Sequence, residues 1–407
     1  MRKLFYNGDI LTMESPRPAE ALLTEGGRII AVGDLSAIAA VAGRHAEQID
    51  LQGGALLPGF ADCYSDFGAV VRSLMGGEHG SRAVRCAVRR AEEAYMARGI
   101  TVLHAADMTE DTARMLSHTD MRLPLMALAD IEQYERAKRA AAGLRNGLML
   151  YGISMDLDVA EDGGEASGAL AFCDRAVGFA MKMAAAEGVT LVASAKSEAS
   201  AAQFLRVMKA MSRVLPQLLS ARLILQDARF LSPLMMEQAR ALGVIPCFAA
   251  DVLLREGDDA LCVWGMERTA RITPFASAHR ASLLYTLCEG TKRTDPIPNP
   301  IALLANAVER KTARGIVPGS GERASVYEAL RALTANAAWG YHAEREFGSL
   351  RAGLAASFVL LDRSPLSVPM REIGAISVLA TWVNGELLSC PDMHEISTHN
   401  ERVPSVY

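Results

Sequence analysis

The sequence lacks a long apolar run, because no stretch of 18 consecutive apolar residues occurs among its 407 residues. A helix needs about 20 mainly apolar residues to cross a bilayer, so we expect no membrane-spanning segment. An excess of basic charge is also missing, since 42 Lys and Arg face 47 Asp and Glu, for a net charge of -5. Nucleic acids and anionic membranes bind basic surfaces, so we expect neither as a partner.

Paired cysteine spacings are absent as well. The seven cysteines stand singly, at Cys63, Cys86, Cys173, Cys247, Cys262, Cys288 and Cys390. Single, scattered cysteines are more typical of reduced thiols than of a disulfide framework or a zinc cluster. The first strand is not preceded by a signal-peptide pattern. We therefore expect a cytoplasmic protein.

Both ends of the chain are rich in short strands joined by turns. Residues 1–55 contain a hairpin pattern in which Glu25-Gly26-Gly27 separates two apolar runs, and residues 348–390 show further runs of this kind. Three or four short strands cannot bury their own faces, so each end needs a partner. We predict that the two ends pair in one small β-sandwich and that residues 391–407 form a polar tail.

Between the two ends, short apolar runs alternate with longer helical patterns, which is typical of βα units around a parallel sheet. The eight predicted strands are Ala55–Ala61, Ile100–His104, Leu123–Leu128, Leu148–Ile153, Val189–Ala193, Arg222–Leu225, Val244–Phe248 and Leu283–Cys288. The predicted helices include Arg82–Arg98, Ala166–Ala186, Ala199–Ser212 and Pro233–Leu242. Eight such units predict an α/β fold, a TIM-type (β/α)8 barrel over residues 56–347, whose working groups follow the strand ends.

One stretch, Leu56–Asp66 with the sequence LLPGFADCYSD, resembles a signature of the metal-dependent amidohydrolases. That family writes it roughly Leu-Pro-Gly-Phe-Ile-Asp-x-His-x-His. The segments Pro300–Arg310, Leu333–Ala338 and Gly348–Gly353 are similar to the N-substituted formamide deformylase branch, whose members are usually over a hundred residues longer. The resemblance implies a barrel beside a composite β-sandwich, and it implies zinc or another divalent metal.

The family's metal-site positions hold other residues here. The two first-strand histidines correspond to Tyr64 and Asp66, the fifth-strand and sixth-strand histidines to Ser194 and Asp227, and the eighth-strand aspartate to Lys292. A catalytic metal needs three or more histidine or carboxylate ligands, and a lysine ammonium repels a cation. We therefore predict a degenerate site that takes no cofactor.

Other polar residues extend this candidate site. His104, Asp156 and Lys196 follow strands and could line a pocket, although His104 could equally be a buried structural histidine. Ser194 with Lys196 or Lys292 could form a Ser–Lys pair of the kind that activates a hydroxyl.

An ion-pair cluster is the structural alternative for the charged residues. In that arrangement Lys292 pairs with Asp66, Asp227 or both, because two carboxylates in one cleft repel unless a cation lies between them. Lys292 could equally point into solvent.

Two functions remain open. The favoured hypothesis is a non-catalytic descendant that binds a small molecule or a partner. The alternative is a hydrolase of amide or other non-peptide C–N bonds with a rearranged site. The resemblance also allows a homodimer, since dimers are common among relatives.

Overall fold

The computed structural model describes residues 1–106, 108–117, 119–142, 148–160, 166–290 and 295–390. Its strands are β1 Arg2–Ile10, β2 Ala19–Glu25, β3 Arg28–Gly33, β4 Glu47–Asp50, β5 Ala55–Pro58, β6 Phe60–Ser65, β7 Ile100–Ala105, β8 Leu125–Asp130, β9 Leu148–Asp156, β10 Asp158–Ala160, β11 Ala166–Leu170, β12 Thr190–Ser194, β13 Ile224–Gln226, β14 Ile245–Ala249, β15 Thr286–Cys288, β16 Phe358–Leu361, β17 Val378–Val383 and β18 Glu386–Ser389. Its helices are α1 Leu35–Ala42, α2 Phe67–Met75, α3 Ser81–Met96, α4 Glu110–Leu116, α5 Tyr134–Ala141, α6 Asp174–Glu187, α7 Glu198–Met211, α8 Pro233–Leu242, α9 Val252–Thr269, α10 Phe275–Arg280, α11 Pro300–Glu309, α12 Val326–Leu333 and α13 Ala335–Gly340. Among the helices in these ranges, none has the length and apolar character that a membrane span requires.

Eight strands form a nearly closed parallel barrel in the order β15-β14-β13-β12-β9-β8-β7-β6. The strands at the two ends of this order, β6 and β15, contact each other. Alternate side chains face opposite sides of each strand, so Leu191 and Ala193 on β12 pack outward among the helices while Val192 packs inward. Both faces are apolar, as expected for a parallel sheet that is covered on both sides. The predicted (β/α)8 fold class is confirmed.

The barrel interior is filled by one cluster of buried side chains, called here the interior cluster. Its buried members are Ala61, Cys63, Val102, Met126, Leu128, Val192, Ile224, Ile245, Cys247, Ala249, Val252, Leu253, Ala260, Ile272, Cys288, Ala337 and Tyr341. The barrel is therefore a packed core and not a pore, and functional groups are restricted to its ends.

The two chain ends meet in a second sheet, called here the terminal sheet, with the order β18-β17-β16-β5-β1-β2-β3 and with β4 beside β1. Strand β5 joins the two halves, because it runs parallel to β1 and antiparallel to β16. The Phe5 ring lies edge-on to Phe358 and Trp382, with centroids 5.0 and 5.5 Å apart. The composite sheet from both ends agrees with the predicted fold class, whereas the domain boundaries at residues 55, 347 and 390 stay a prediction.

Two predicted elements differ from the structure. The run Ala55–Ala61 was predicted as one barrel strand, but it divides at Gly59 into β5 of the terminal sheet and β6 of the barrel. A Cβ atom on Gly59 would lie only 2.1 Å from Thr101 Oγ1, so the backbone passes too close for any side chain. The alanine-rich run Ala166–Ala186 was predicted as helix throughout, but Ala166–Leu170 pairs with β10 as a strand. Tertiary pairing overrides the helix propensity there.

Candidate functional site at the barrel mouth

A β-bulge turns the end of β6 toward the barrel interior. Asp62 pairs with Leu103 and Ser65 pairs with Ala105, so β6 has one more residue than β7 in this interval. An extra residue moves the following side chains to the other face of the strand. Tyr64 therefore packs against the interior cluster, and Asp66 follows as the half-buried N-cap residue of α2. The bulge brings both positions to the mouth, which is the carboxyl-terminal end of the barrel.

Asp227, directly after β13, lies in a charged triad with Arg229, which is also buried, and with the half-buried Glu256. Arg229 Nε lies 3.2 Å from Asp227 Oδ1, and Arg229 Nη1 lies 2.5 Å from Glu256 Oε2. The side chains of Asp227 and Arg229 are only 1% and 9% exposed. Burial raises the pKa of Asp227, and the positive charge of Arg229 opposes that rise. The guanidinium thus bridges two carboxylates and neutralises the aspartate at the sixth-strand position.

The end of β12 carries the next polar group. Lys196 Nζ lies 3.2 Å from Asp156 Oδ2, while the Lys196 main-chain N–H donates to Asp158 Oδ2 at 2.7 Å. Ser194 Oγ is buried and has no hydrogen-bond partner among the residues that the structure describes. The structure therefore joins Lys196 to Asp156 across β9 and β12 and not to Ser194.

His104 lies inside the barrel and is fully buried. Its ring stacks on Tyr341, with centroids 3.4 Å apart and planes within 7°. Burial lowers the pKa of His104 to about 3, against a smaller opposing effect of the nearby Asp62 main chain. The Tyr341 hydroxyl donates to the Cys63 carbonyl oxygen at 2.8 Å. A neutral imidazole held by stacking corresponds to the structural alternative for this residue.

Lys292 lies outside the described residues, and so does its predicted pairing with Asp66 or Asp227. The cation beside Asp227 is Arg229, which our sequence analysis did not single out. A second pair was also missed: Arg255 Nε lies 2.6 Å from Asp251 Oδ2 after β14. The i,i+4 spacing of Asp251 and Arg255 is the sequence signal that could have indicated this pair.

A cleft of about 340 Å³ has Phe230, the residue that follows Arg229, in its lining, although none of the three triad residues lines it. Its apolar wall is formed by Phe230, Leu231, Pro233, Met236 and Pro274, and its polar lining includes Glu198, Arg271, Ser277 and Glu322. Glu322 accepts hydrogen bonds from the main-chain N–H and the hydroxyl of Ser277, at 2.8 and 2.6 Å. Clefts of roughly 300 to 1,000 Å³ with mainly apolar walls accommodate small organic molecules.

Comparison with known proteins finds similarity to a family model, to a curated relative and to solved structures. A family model described as "Amidohydrolase family" matches residues 64–388. An N-substituted formamide deformylase of Arthrobacter pascens is 35% identical over 89 residues, which are 22% of this chain and 16% of that protein. The chain thus aligns with about a sixth of the length of this curated relative.

Two solved structures share the fold. A metal-dependent hydrolase from Pyrococcus furiosus has a TM-score of 0.72 at 15% identity, covering 90% of this chain and 100% of that one. An adenosine deaminase from Xanthomonas campestris with bound zinc has a TM-score of 0.67 at 15% identity, covering 94% of this chain and 92% of that one.

These relatives contradict our prediction that the protein takes no cofactor. One is described as metal-dependent and another carries zinc, so the comparisons point to a divalent metal. The side chains of the described ranges do not fit such an ion, because no three His, Cys, Asp or Glu among them are grouped so that they could hold a metal. Asp227 is bound instead by Arg229.

Proposed function

We propose that this chain, which belongs to the amidohydrolase family, binds a small organic molecule at its barrel mouth and does not hydrolyse it. The observation that carries this proposal is the triad of Asp227, Arg229 and Glu256. Hydrolysis of an amide needs an activated water, and a carboxylate activates water by accepting its proton or by holding a Lewis acid. Asp227 is bound by the guanidinium and is therefore occupied for both roles.

The cleft beside the triad supports a ligand with an apolar body. Phe230 and Leu231, which form part of the apolar wall, follow Arg229 directly in the chain. Of the charged lining residues, Glu322 is bound by Ser277 and Arg280, and Arg271 is paired with Glu267. Glu198 is exposed at the rim. A neutral or singly cationic apolar molecule fits this lining best, because an anion would face two carboxylates.

Hydrolysis of an amide or other non-peptide C–N bond at a rearranged site is the competing function. The similarity to the formamide deformylase favours it, although that similarity covers 22% of this chain. The two functions differ in one measurable respect, which is turnover.

The test uses the full chain purified without chelator and then supplied in turn with zinc, manganese and iron. N-substituted formamides, N-acyl amino acids and cyclic amides are assayed for hydrolysis, and we expect no turnover with any of them. Turnover that disappears in Asp227→Asn and persists in the control Asp111→Asn, at an exposed position on α4 outside the site, would overturn the proposal.

Binding is measured separately, by the thermal shift that a panel of apolar amides and amines produces. Arg271→Trp adds bulk at the cleft rim and is expected to abolish the shift, since Arg271 lines the cleft. The control Leu234→Trp introduces the same side chain on α8 at a position that is 63% exposed. Equal shifts in both variants would place the ligand elsewhere and would contradict the proposal.

A further inference from the structure

A second cleft, of about 300 Å³, lies on the flank of the barrel. Its walls are α3 and residues 119–122, a segment that precedes β8. That segment leads into the amino-terminal end of β8, so the cleft lies away from the carboxyl-terminal mouth. Three arginines line it: Arg85, Arg89 and Arg122.

The arginines face each other from two walls. Arg85 and Arg89 are four residues apart on α3, so they lie on one face of that helix. Arg122 comes from the opposite wall. Within the ranges that the structure describes, none of the three forms an ion pair shorter than 4.0 Å, unlike the arginines of the mouth. The three exposed guanidinium groups thus keep their donors available to a ligand.

Glu92 fixes the distance between the walls. It lies one turn beyond Arg89 on α3 and is only 2% exposed. Its Oε1 accepts the main-chain N–H groups of Arg122 and Leu123, at 2.6 and 2.8 Å. Two hydrogen bonds donated by main-chain N–H groups to this buried carboxylate hold the second wall against the helix. The fold itself therefore sets the distance between the two walls of the cleft.

The cleft has a net positive charge, although the protein as a whole carries -5. Three guanidinium groups stand against two carboxylates, Glu92 and Asp120, and the Glu92 carboxylate already binds the main chain. Arginine presents parallel N–H donors that match the oxygens of a phosphate group. We propose that this cleft binds a phosphate group, either as free phosphate or as part of a small phosphorylated molecule.

Cys86 supplies a reporter for the test, because its thiol lines the same cleft and is exposed. Iodoacetamide labelling of the full chain is followed by peptide mass spectrometry, with the exposed Cys173 and Cys262 as internal controls. Inorganic phosphate is expected to slow labelling of Cys86 at least ~3-fold by occupying its surroundings, without slowing the other two. A parallel reaction with sodium chloride at the same ionic strength measures how much of the slowing comes from charge screening instead of phosphate binding.

The double variant Arg85→Gln/Arg89→Gln is expected to lose this protection and to bind phosphate at least ~10-fold more weakly in calorimetry. Its matched control, Arg82→Gln/Arg90→Gln, removes the same charge from exposed positions of the same helix. Calorimetry with inorganic phosphate and with glycerol phosphate distinguishes the two sources, since tighter binding of the ester identifies a phosphorylated molecule. Equal protection by chloride, or equal losses in the two double variants, would overturn the proposal.

Discussion

Replacing His104 by phenylalanine is expected to reduce the dependence of stability on pH between about pH 3 and pH 6.5. The imidazole is fully buried and stacks on Tyr341, and burial lowers its pKa from 6.5 to about 3. In the unfolded chain the same ring takes up a proton below pH 6.5. As the pH falls through this window, the unfolded state binds a proton that the folded state does not bind, and the free energy of unfolding therefore decreases.

The size of the effect follows from the width of the window. One proton bound only by the unfolded state changes the free energy of unfolding by about 1.4 kcal/mol per pH unit. The unfolded histidine is half protonated at pH 6.5 and almost fully protonated at pH 5, so between these two values His104 should cost about 1.6 kcal/mol of stability. Phenylalanine keeps an aromatic ring for the stack and has no proton to take up, so this part of the loss should vanish.

The assay is urea unfolding followed by far-ultraviolet circular dichroism at about pH 6.5, 5.8 and 5, because the midpoint and slope give the free energy of unfolding. The readout is the difference between variant and parent at each pH, so an altered baseline stability of the variant does not matter. Tyr341→Phe is the control: it removes the hydrogen bond to Cys63 at a cost of about 1 kcal/mol that should not vary with pH. Parallel curves for the parent and the His104 variant would refute the reasoning.

Two further substitutions test the fold by urea unfolding. Arg310 is 1% exposed and donates to several main-chain oxygens, among them that of Thr273 at 2.8 Å. Arg310→Met should therefore lower the free energy of unfolding by at least about 3 kcal/mol, because it leaves buried acceptors unpaired. A loss below about 1 kcal/mol would contradict this explanation. Gly59→Ala should cost about 1 to 3 kcal/mol, because its Cβ would meet Thr101 at 2.1 Å. Gly321→Ala, which has nothing within 4 Å of the added atom, is the control, and equal stability of the two alanine variants would sink the steric explanation.

The barrel could be predicted from sequence because its strands are apolar on both faces. Runs such as Val189–Ala193 contain only residues that suit a buried strand, and the structure has β12 at Thr190–Ser194. The composite sheet was predictable for a related reason, since neither chain end could cover its own strands. The division at Gly59 was not predictable in this way, because it depends on the approach of Thr101 from β7.

The candidate site was less accessible to sequence reasoning. Matching family positions brought attention to Tyr64 and Asp227, and the β6 bulge and the end of β13 place them at the mouth. The partner of Asp227 was missed because Arg229 is brought into place by a turn in which Asp227 has a φ of 49°. Glu256 reaches the same guanidinium from α9, and only the folded chain shows that approach.

The fold of this barrel and the residues at its mouth depend on different positions. The fold can therefore be kept while the residues at the mouth change. The apolar side chains of the interior cluster and those packed against the helices hold the strands in register. The residues at the mouth follow the strand ends, where a change of type leaves that register intact. Proteins at 15% identity can therefore share the barrel at a TM-score of 0.72. Similarity of fold consequently says little about the reaction. At the mouth, the guanidinium of Arg229 holds Asp227 as one half of a buried ion pair, and the proposed function rests on this contact.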